Sequence, residues 1–158
     1  MSEPVAAQDT AGVIAPPPLI LLGGLVLGIT AERLYPLPWV PLVLRAPGGA
    51  LLVLAAAVLL VLSFREFRAA DTSVETRKPT RFIISSGPYR FSRNPIYLSF
   101  AILQFGIAVW TGSAWFLVGL VLTTLVITMG VIVREERYLE RKFGETYLAY
   151  KRKVRRWL

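Results

Sequence analysis

The 158-residue chain contains neither cysteine nor histidine. The absence of cysteine excludes disulfide bonds and thiolate chemistry, and without either residue type the usual transition-metal ligands are missing. Charged residues are absent from three long stretches, residues 10–31, 46–64 and 94–133. Because a membrane-spanning helix needs about 20 mostly apolar residues, these stretches predict segments that lie within a bilayer.

The third uncharged stretch covers 40 residues, enough for two spans, and the small residues Thr111-Gly112-Ser113 interrupt it. That interruption predicts a tight turn between antiparallel helices. The apolar runs are continuous rather than alternating, which favours helices over a barrel. A soluble bundle is a weaker alternative, because a helix that is apolar all round has no face for water. The sequence predicts an all-α integral membrane protein with four transmembrane helices, at about residues 16–34, 47–65, 94–110 and 114–133.

The two ends of the chain differ in character. Residues 1–15 are polar or small and predict a disordered lead-in before the four-span region at 16–133. Beyond Val133 the apolar residues recur every three or four positions, opposite a basic face. This pattern predicts amphipathic cytosolic helices over residues 134–158, divided at Gly144. The apolar stripe comprises Leu139, Phe143, Tyr147, Tyr150, Val154 and Leu158.

Basic residues are distributed unevenly around the predicted spans. Of the 18 lysines and arginines, 16 lie between the second and third spans or after the fourth. The positive-inside rule then predicts that both termini and the long middle loop are cytosolic. The net charge of +8 indicates contact with anionic lipid headgroups rather than with nucleic acid, for which no motif is present.

Two polar clusters, residues 87–97 and 134–144, occupy the cytosolic ends of the third and fourth spans. Because these spans form a hairpin, the clusters are predicted to lie close together. The first contains the start of the third span, where Asn94 is the predicted cap and Pro95 the first helical residue. Such a helix start attracts an anionic group such as a carboxylate.

Aromatic and acidic side chains complete this predicted site. Tyr89 and Tyr97 offer aromatic faces to a cation, and Glu135 and Glu136 offer acceptors to an ammonium or to ribose hydroxyls. Together they suit a zwitterionic cofactor with a sulfonium group. Helix capping, interfacial anchoring and local ion pairs are an equally simple explanation for the same residues.

The ordered combination of these motifs resembles one family. Ser86-Gly87-Pro88-Tyr89, Arg93-Asn94-Pro95-Ile96-Tyr97, Glu135-Glu136-Arg137 and Phe143-Gly144-Glu145 resemble the isoprenylcysteine carboxyl methyltransferase family and its bacterial relatives, over residues 48–158. The resemblance implies a methyltransferase of the bacterial inner membrane that uses S-adenosylmethionine and no metal. It implies cofactor contacts from Arg81, Phe82, Ile83, Ile84, Tyr89, Asn94, Pro95, Ile96, Tyr97 and Glu135. Candidate catalytic residues are Glu135, Glu136 and Arg134.

Two positions depart from the family pattern. Asn94 stands where eukaryotic members have histidine. Its amide can donate and accept hydrogen bonds to a ligand but cannot act as an acid or base. Val131 stands where they have a substrate-contacting arginine, and Arg134 lies one helical turn away. A carboxylate acceptor would need no general base, whereas an amine would need Glu135, Glu136 or a tyrosine to remove its proton.

The predicted function is methyl transfer to a lipophilic acceptor, such as the carboxylate of an isoprenylcysteine-like lipid, with membrane lipids as further partners. Three alternatives remain open at this level. The first is N-methylation of a phospholipid or other lipid amine. The second is a nicotinamide-dependent membrane reductase of related fold, and the third is a non-catalytic scaffold or lipid-binding module.

Overall fold

The computed structural model describes residues 10–69 and 83–158, and the regular elements in these ranges are helices. This confirms the all-helical prediction. In chain order the elements are α1 (Pro17–Leu34), α2 (Leu42–Ala69), a 3₁₀ helix (Gly87–Arg90), α3 (Pro95–Thr111), α4 (Trp115–Ile127), a π-helical turn (Thr128–Ile132), α5 (Val133–Phe143) and α6 (Glu145–Lys153).

Three helical segments are long and apolar enough to cross a membrane: α1, α2 and the continuous rod from Trp115 to Phe143. Helix α3 is also apolar but has 17 residues, a length of about 26 Å. The hydrocarbon core of a bilayer is about 30 Å thick. The described residues therefore hold three helices of membrane-spanning length, where the sequence predicted four spans.

The helix bounds differ most from the prediction at α2. The prediction followed the uncharged stretch and placed this span at residues 47–65, whereas the helix begins at Leu42 and ends at Ala69. A helix can continue beyond its apolar part, because charged residues such as arginine and glutamate also have high helix propensity in water. Pro47 lies in the second turn of α2, close to the end at which a missing backbone donor costs least.

The rod formed by α4 and α5 is the second difference. The sequence predicted a span ending at residue 133 and separate helices beyond it, but a π-helical turn at Thr128–Ile132 carries α4 directly into α5. A π turn inserts extra backbone into a helix and changes which face its following residues present; such turns occur frequently at functional sites. Gly144, with φ of 51°, separates α5 from α6 at the predicted position.

The helices form two pairs joined at one end of the bundle. Helix α3 packs most extensively against α2, and α4 against α1. Gly112, with φ of 68°, makes the predicted sharp turn between α3 and α4. The Trp39 N–H donates to the Gly112 carbonyl at 3.0 Å, and the Ala114 N–H donates to the Leu37 carbonyl at 2.9 Å. The two connecting loops are thus fixed together, and the starts of α3 and α6 lie at the other end.

Helices α1 and α4 approach closely through glycine. A Cβ atom built on Gly24 would lie 2.1 Å from Thr123 Oγ1 and 2.8 Å from Gln104 Nε2. At neighbouring Gly23 the same atom would meet nothing within 4 Å. Contact between α1 and the α3–α4 hairpin therefore requires glycine at position 24 but not at position 23.

We expect Gly24→Ala to lower the stability of the bundle by about 2 kcal/mol, because the extra methyl group overpacks this contact. The measurement is thermal unfolding in detergent, followed by circular dichroism. Gly23→Ala is the matched control and should unfold at or slightly above the wild-type temperature. Equal unfolding temperatures for the two variants would contradict the close approach.

Candidate active site

Tyr97 and Glu135 bring the two predicted clusters together. Tyr97 lies in the first turn of α3, and its hydroxyl donates a hydrogen bond of 2.8 Å to Glu135 Oε1 on α5. The Tyr97 side chain is buried, and its ring centroid lies 6.3 Å from that of Phe100. The hairpin therefore places residues 38 positions apart in direct contact, as the sequence predicted.

Tyr89 lies in the 3₁₀ helix that precedes this site. It is buried, its ring meets that of Phe67 edge-on at 5.7 Å, and the Tyr150 hydroxyl donates to its backbone carbonyl at 2.7 Å. Burial raises the pKa of Tyr89 far above its ordinary value, and nearby Tyr150, Glu135 and Glu66 raise it further. Tyr89 therefore stays a neutral phenol within the electrostatic reach of Glu135.

The turn that carries Tyr89 is fixed to the end of α2. The Ser86 hydroxyl donates a hydrogen bond to the Glu66 carboxylate on α2. Gly87 has φ of 53°, and a Cβ atom there would lie 2.5 Å from Glu66 Oε1. Only glycine permits both this conformation and this close approach.

Glu136 is held in a buried ion-pair clamp. Its Oε1 accepts from Arg93 Nη2 at 2.9 Å and from Arg156 Nε at 3.0 Å, and its Oε2 accepts from Arg156 Nη2 at 2.8 Å. The residue is 5% exposed. Both carboxylate oxygens of this predicted catalytic residue are therefore bound to guanidinium groups, which suits a structural role better than proton transfer.

The C-terminal segment is bonded to the turn before α3. The Arg93 N–H donates to the Arg155 carbonyl at 3.0 Å, and Arg93 Nη1 donates to the Lys151 and Val154 carbonyls at 3.0 and 3.2 Å. Arg156, which binds Glu136 from this segment, was not among the site residues that the sequence predicted. In the sequence it is one of several similar arginines near the end of the chain, and no local pattern distinguishes it.

The sequence predicted that Asn94 caps α3, but its side chain does not do so. It occupies the residue before α3, but its side chain makes no capping bond. Its Nδ2 donates instead to the Arg156 carbonyl at 3.0 Å. Across residues 10–69 and 83–158, no side-chain acceptor binds the first-turn N–H groups of α3, so this helix end remains suited to an anionic ligand.

The other predicted site residues lie at varied positions. Pro95 is buried, and Ile83, Ile84 and Ile96 are half-buried; Ile96 packs against the hydrophobic core. Arg134 is exposed and donates to the Gly12 carbonyl at 2.8 Å rather than to the Tyr97–Glu135 pair. Arg81 and Phe82 lie outside the described residues.

The donors and acceptors around the Tyr97–Glu135 pair fit S-adenosylmethionine. The start of α3 is suited to its carboxylate, Tyr89 and Tyr97 are suited to its sulfonium, and Glu135 provides an acceptor beside them. No group of three or more potential metal ligands occurs in residues 10–69 and 83–158. Groups of the kinds that bind a cationic cofactor therefore lie together at one end of the helical bundle.

Comparison with known proteins decides the family. Residues 44–146 match the sequence model described as phospholipid methyltransferase. The chain belongs to this family. It is a membrane methyltransferase family related to the isoprenylcysteine one, so the prediction of a membrane methyltransferase is confirmed at this level. Members generally use S-adenosylmethionine.

An uncharacterized protein of Haemophilus influenzae is 44% identical over 63 residues, which are 40% of this chain and all of that protein. No solved structure matches the chain. The family is therefore inferred from the sequence match, and the site geometry is inferred from the helical bundle of this chain.

We expect Glu136→Gln to destabilise the protein by about 3 kcal/mol, because it leaves Arg93 buried without its counter-charge. Glu145→Gln is the control, since Glu145 pairs with Arg152 at the surface, where the two side chains are 79% and 65% exposed. That change should cost about 0.5 kcal/mol or less. Unfolding by heat in detergent measures both, and similar losses in the two variants would contradict the clamp.

Proposed function

We propose that this protein transfers the methyl group of S-adenosylmethionine to the amine of a lipid in the bilayer. The observation that carries the proposal is the hydrogen bond between Tyr97 and Glu135 beside the uncapped start of α3. Membership of the phospholipid methyltransferase family supports the reaction class.

Residues at the start of α3 and in the turn before it would hold the cofactor. The first-turn N–H groups of α3 would bind its carboxylate, and the faces of Tyr89 and Tyr97 would contact its sulfonium. Ile84 and Ile96 would provide an apolar surface for the remainder. When bound, this cofactor would supply an electrophilic methyl group: a nucleophile attacks the methyl carbon in line with the carbon–sulfur bond, which breaks so that the thioether S-adenosylhomocysteine leaves.

Glu135 is the residue best placed to receive a proton. Its Oε1 accepts from Tyr97, and no hydrogen bond from another described residue reaches Oε2. A lipid ammonium must lose a proton before its nitrogen can attack, and this free oxygen would accept it. Tyr97 would fix the orientation of the carboxylate, while buried Phe100 and Ile127 exclude water from the same region.

The charge of the site favours an amine over a carboxylate as acceptor. The Glu135 carboxylate would attract a lipid ammonium and repel a lipid carboxylate. Val131, at the position where carboxyl methyltransferases of the related family have arginine, is fully buried in the hydrophobic core. Arg93 is engaged by Glu136, so neither position supplies a cation to an acidic acceptor.

The proposed placement in the membrane has four spans, with α3 as the shortest, and both termini in the cytosol. The paired loops at residues 35–41 and 112–114 would face the opposite side. This arrangement puts the Tyr97–Glu135 pair at the cytosolic surface of a bacterial inner membrane, within reach of a soluble cofactor. The lipid would enter laterally from the bilayer.

Radiolabelled S-adenosylmethionine should bind the purified protein. Tyr97→Ala, which removes an aromatic face from the sulfonium, and Glu135→Gln, which removes the negative charge beside it, should each weaken binding roughly tenfold. Unfolding temperatures show whether the variants remain folded, and Glu145→Gln serves as the control. Unchanged affinity in both folded site variants would overturn the assignment of the cofactor site.

Lipid extracts incubated with the protein and an isotopically labelled methyl donor should yield a labelled lipid amine, detected by mass spectrometry. Folded Glu135→Gln should lower product formation by 10²-fold or more, the contribution typical of a general base. A labelled methyl ester instead would show that the acceptor is a carboxylate. Fluorescence of bound reduced nicotinamide, with no methylated lipid, would favour the reductase alternative.

A further inference from the structure

A groove of about 530 Å³ lies along the outer side of the α4–α5 rod. Its lining changes from apolar to basic along the helix axis. The lining residues are Ala11, Met129, Val133, Arg134, Arg137 and Arg141.

The three arginines form one face of α5. Their spacing of three and four residues places them in a row about 10 Å long. At 100° per residue, this row lies about 130° around the helix from both Glu135 and Glu136. The groove is therefore separate from the Tyr97–Glu135 pair and from the Glu136 clamp.

No carboxylate of α5 or α6 neutralises this row. Glu136 pairs with Arg93 and Arg156, Glu140 with Lys151 and Glu145 with Arg152. Glu135 accepts from Tyr97. Within the described part of the chain, Arg137 and Arg141 are exposed and have no acidic partner, while Arg134 donates to the Gly12 carbonyl.

The apolar end of the groove has the opposite character. Met129 is 71% exposed and lies in the π-helical turn at the end of the apolar part of the rod. One turn further along, Val133 is half-buried, and the arginines begin directly after it. An amphiphile aligned with the rod would meet apolar side chains first and guanidinium groups next.

We propose that this groove binds the headgroup of an anionic phospholipid from the cytosolic leaflet. The lipid phosphate would contact Arg137 and Arg141, and the glycerol and first acyl carbons would lie against Met129 and Val133. A zwitterionic lipid would bring its ammonium into the same positive groove, so charge complementarity favours lipids with net negative charge. The proposal requires membrane insertion but not methyl transfer.

The test is native mass spectrometry of the full chain in detergent, titrated with phosphatidylglycerol and, separately, with phosphatidylcholine of the same acyl chains. Wild type should retain phosphatidylglycerol on the order of tenfold more tightly than phosphatidylcholine. The double variant Arg137→Gln and Arg141→Gln should lose this preference. The double variant Arg65→Gln and Arg68→Gln removes the same charge from the end of α2 and should keep it.

Excess inorganic phosphate distinguishes a lipid site from a simple anion site. Phosphate alone should leave most of the lipid bound, because the apolar contacts are absent from it. Equal retention of the two lipids by wild type, equal losses in the two double variants, or full displacement by phosphate would each overturn the proposal.

If the Arg137→Gln and Arg141→Gln double variant does not fold, Arg141→Gln alone should lower the lipid preference partially. Cofactor binding by the Arg137→Gln and Arg141→Gln variant should equal that of wild type, which separates this result from the proposed enzyme function.

Discussion

The structure around the candidate site depends on one buried carboxylate. Glu136 binds Arg93 from the turn before α3 and Arg156 from the C-terminal segment, so three distant parts of the chain meet at a single acid. A charge in this environment is stable only while both partners remain. The clamp therefore fixes the register between α3 and α5, and that register places Tyr97 against Glu135 one residue earlier on α5.

This arrangement gives adjacent glutamates different tasks. Both oxygens of Glu136 bind guanidinium groups, whereas among the described residues Glu135 has one hydrogen-bond partner, the Tyr97 phenol, and its second oxygen is the one that we propose receives a proton. The π-helical turn directly before α5 sets which helix face each presents. The exposed Arg134, Arg137 and Arg141 lie on the opposite face of α5 and pair with neither Glu135 nor Glu136. One short helix thus combines a structural ion pair, a candidate proton acceptor and a basic groove for lipid.

The helices, and the proximity of the two polar clusters at residues 87–97 and 134–144, could be predicted from the sequence. Apolar length requires helices, and a turn as short as Thr111-Gly112-Ser113 requires a hairpin, so contact between Tyr97 and Glu135 followed from chain geometry. The roles of Asn94 and Arg156 were not predictable, because they depend on where the C-terminal segment docks. The bounds of α2 and the π-helical turn also escaped prediction, since charge gaps locate the apolar part of a helix and not its ends.

We propose that the cofactor binds at the start of α3, beside Tyr97 and Glu135. The most direct test is an experimental structure of the protein bound to S-adenosylhomocysteine, the cofactor after methyl loss. We expect its carboxylate at the first turn of α3 and its sulfur beside Tyr97 and Glu135. Binding at another place, with the Tyr97–Glu135 pair untouched by the ligand, would contradict the account.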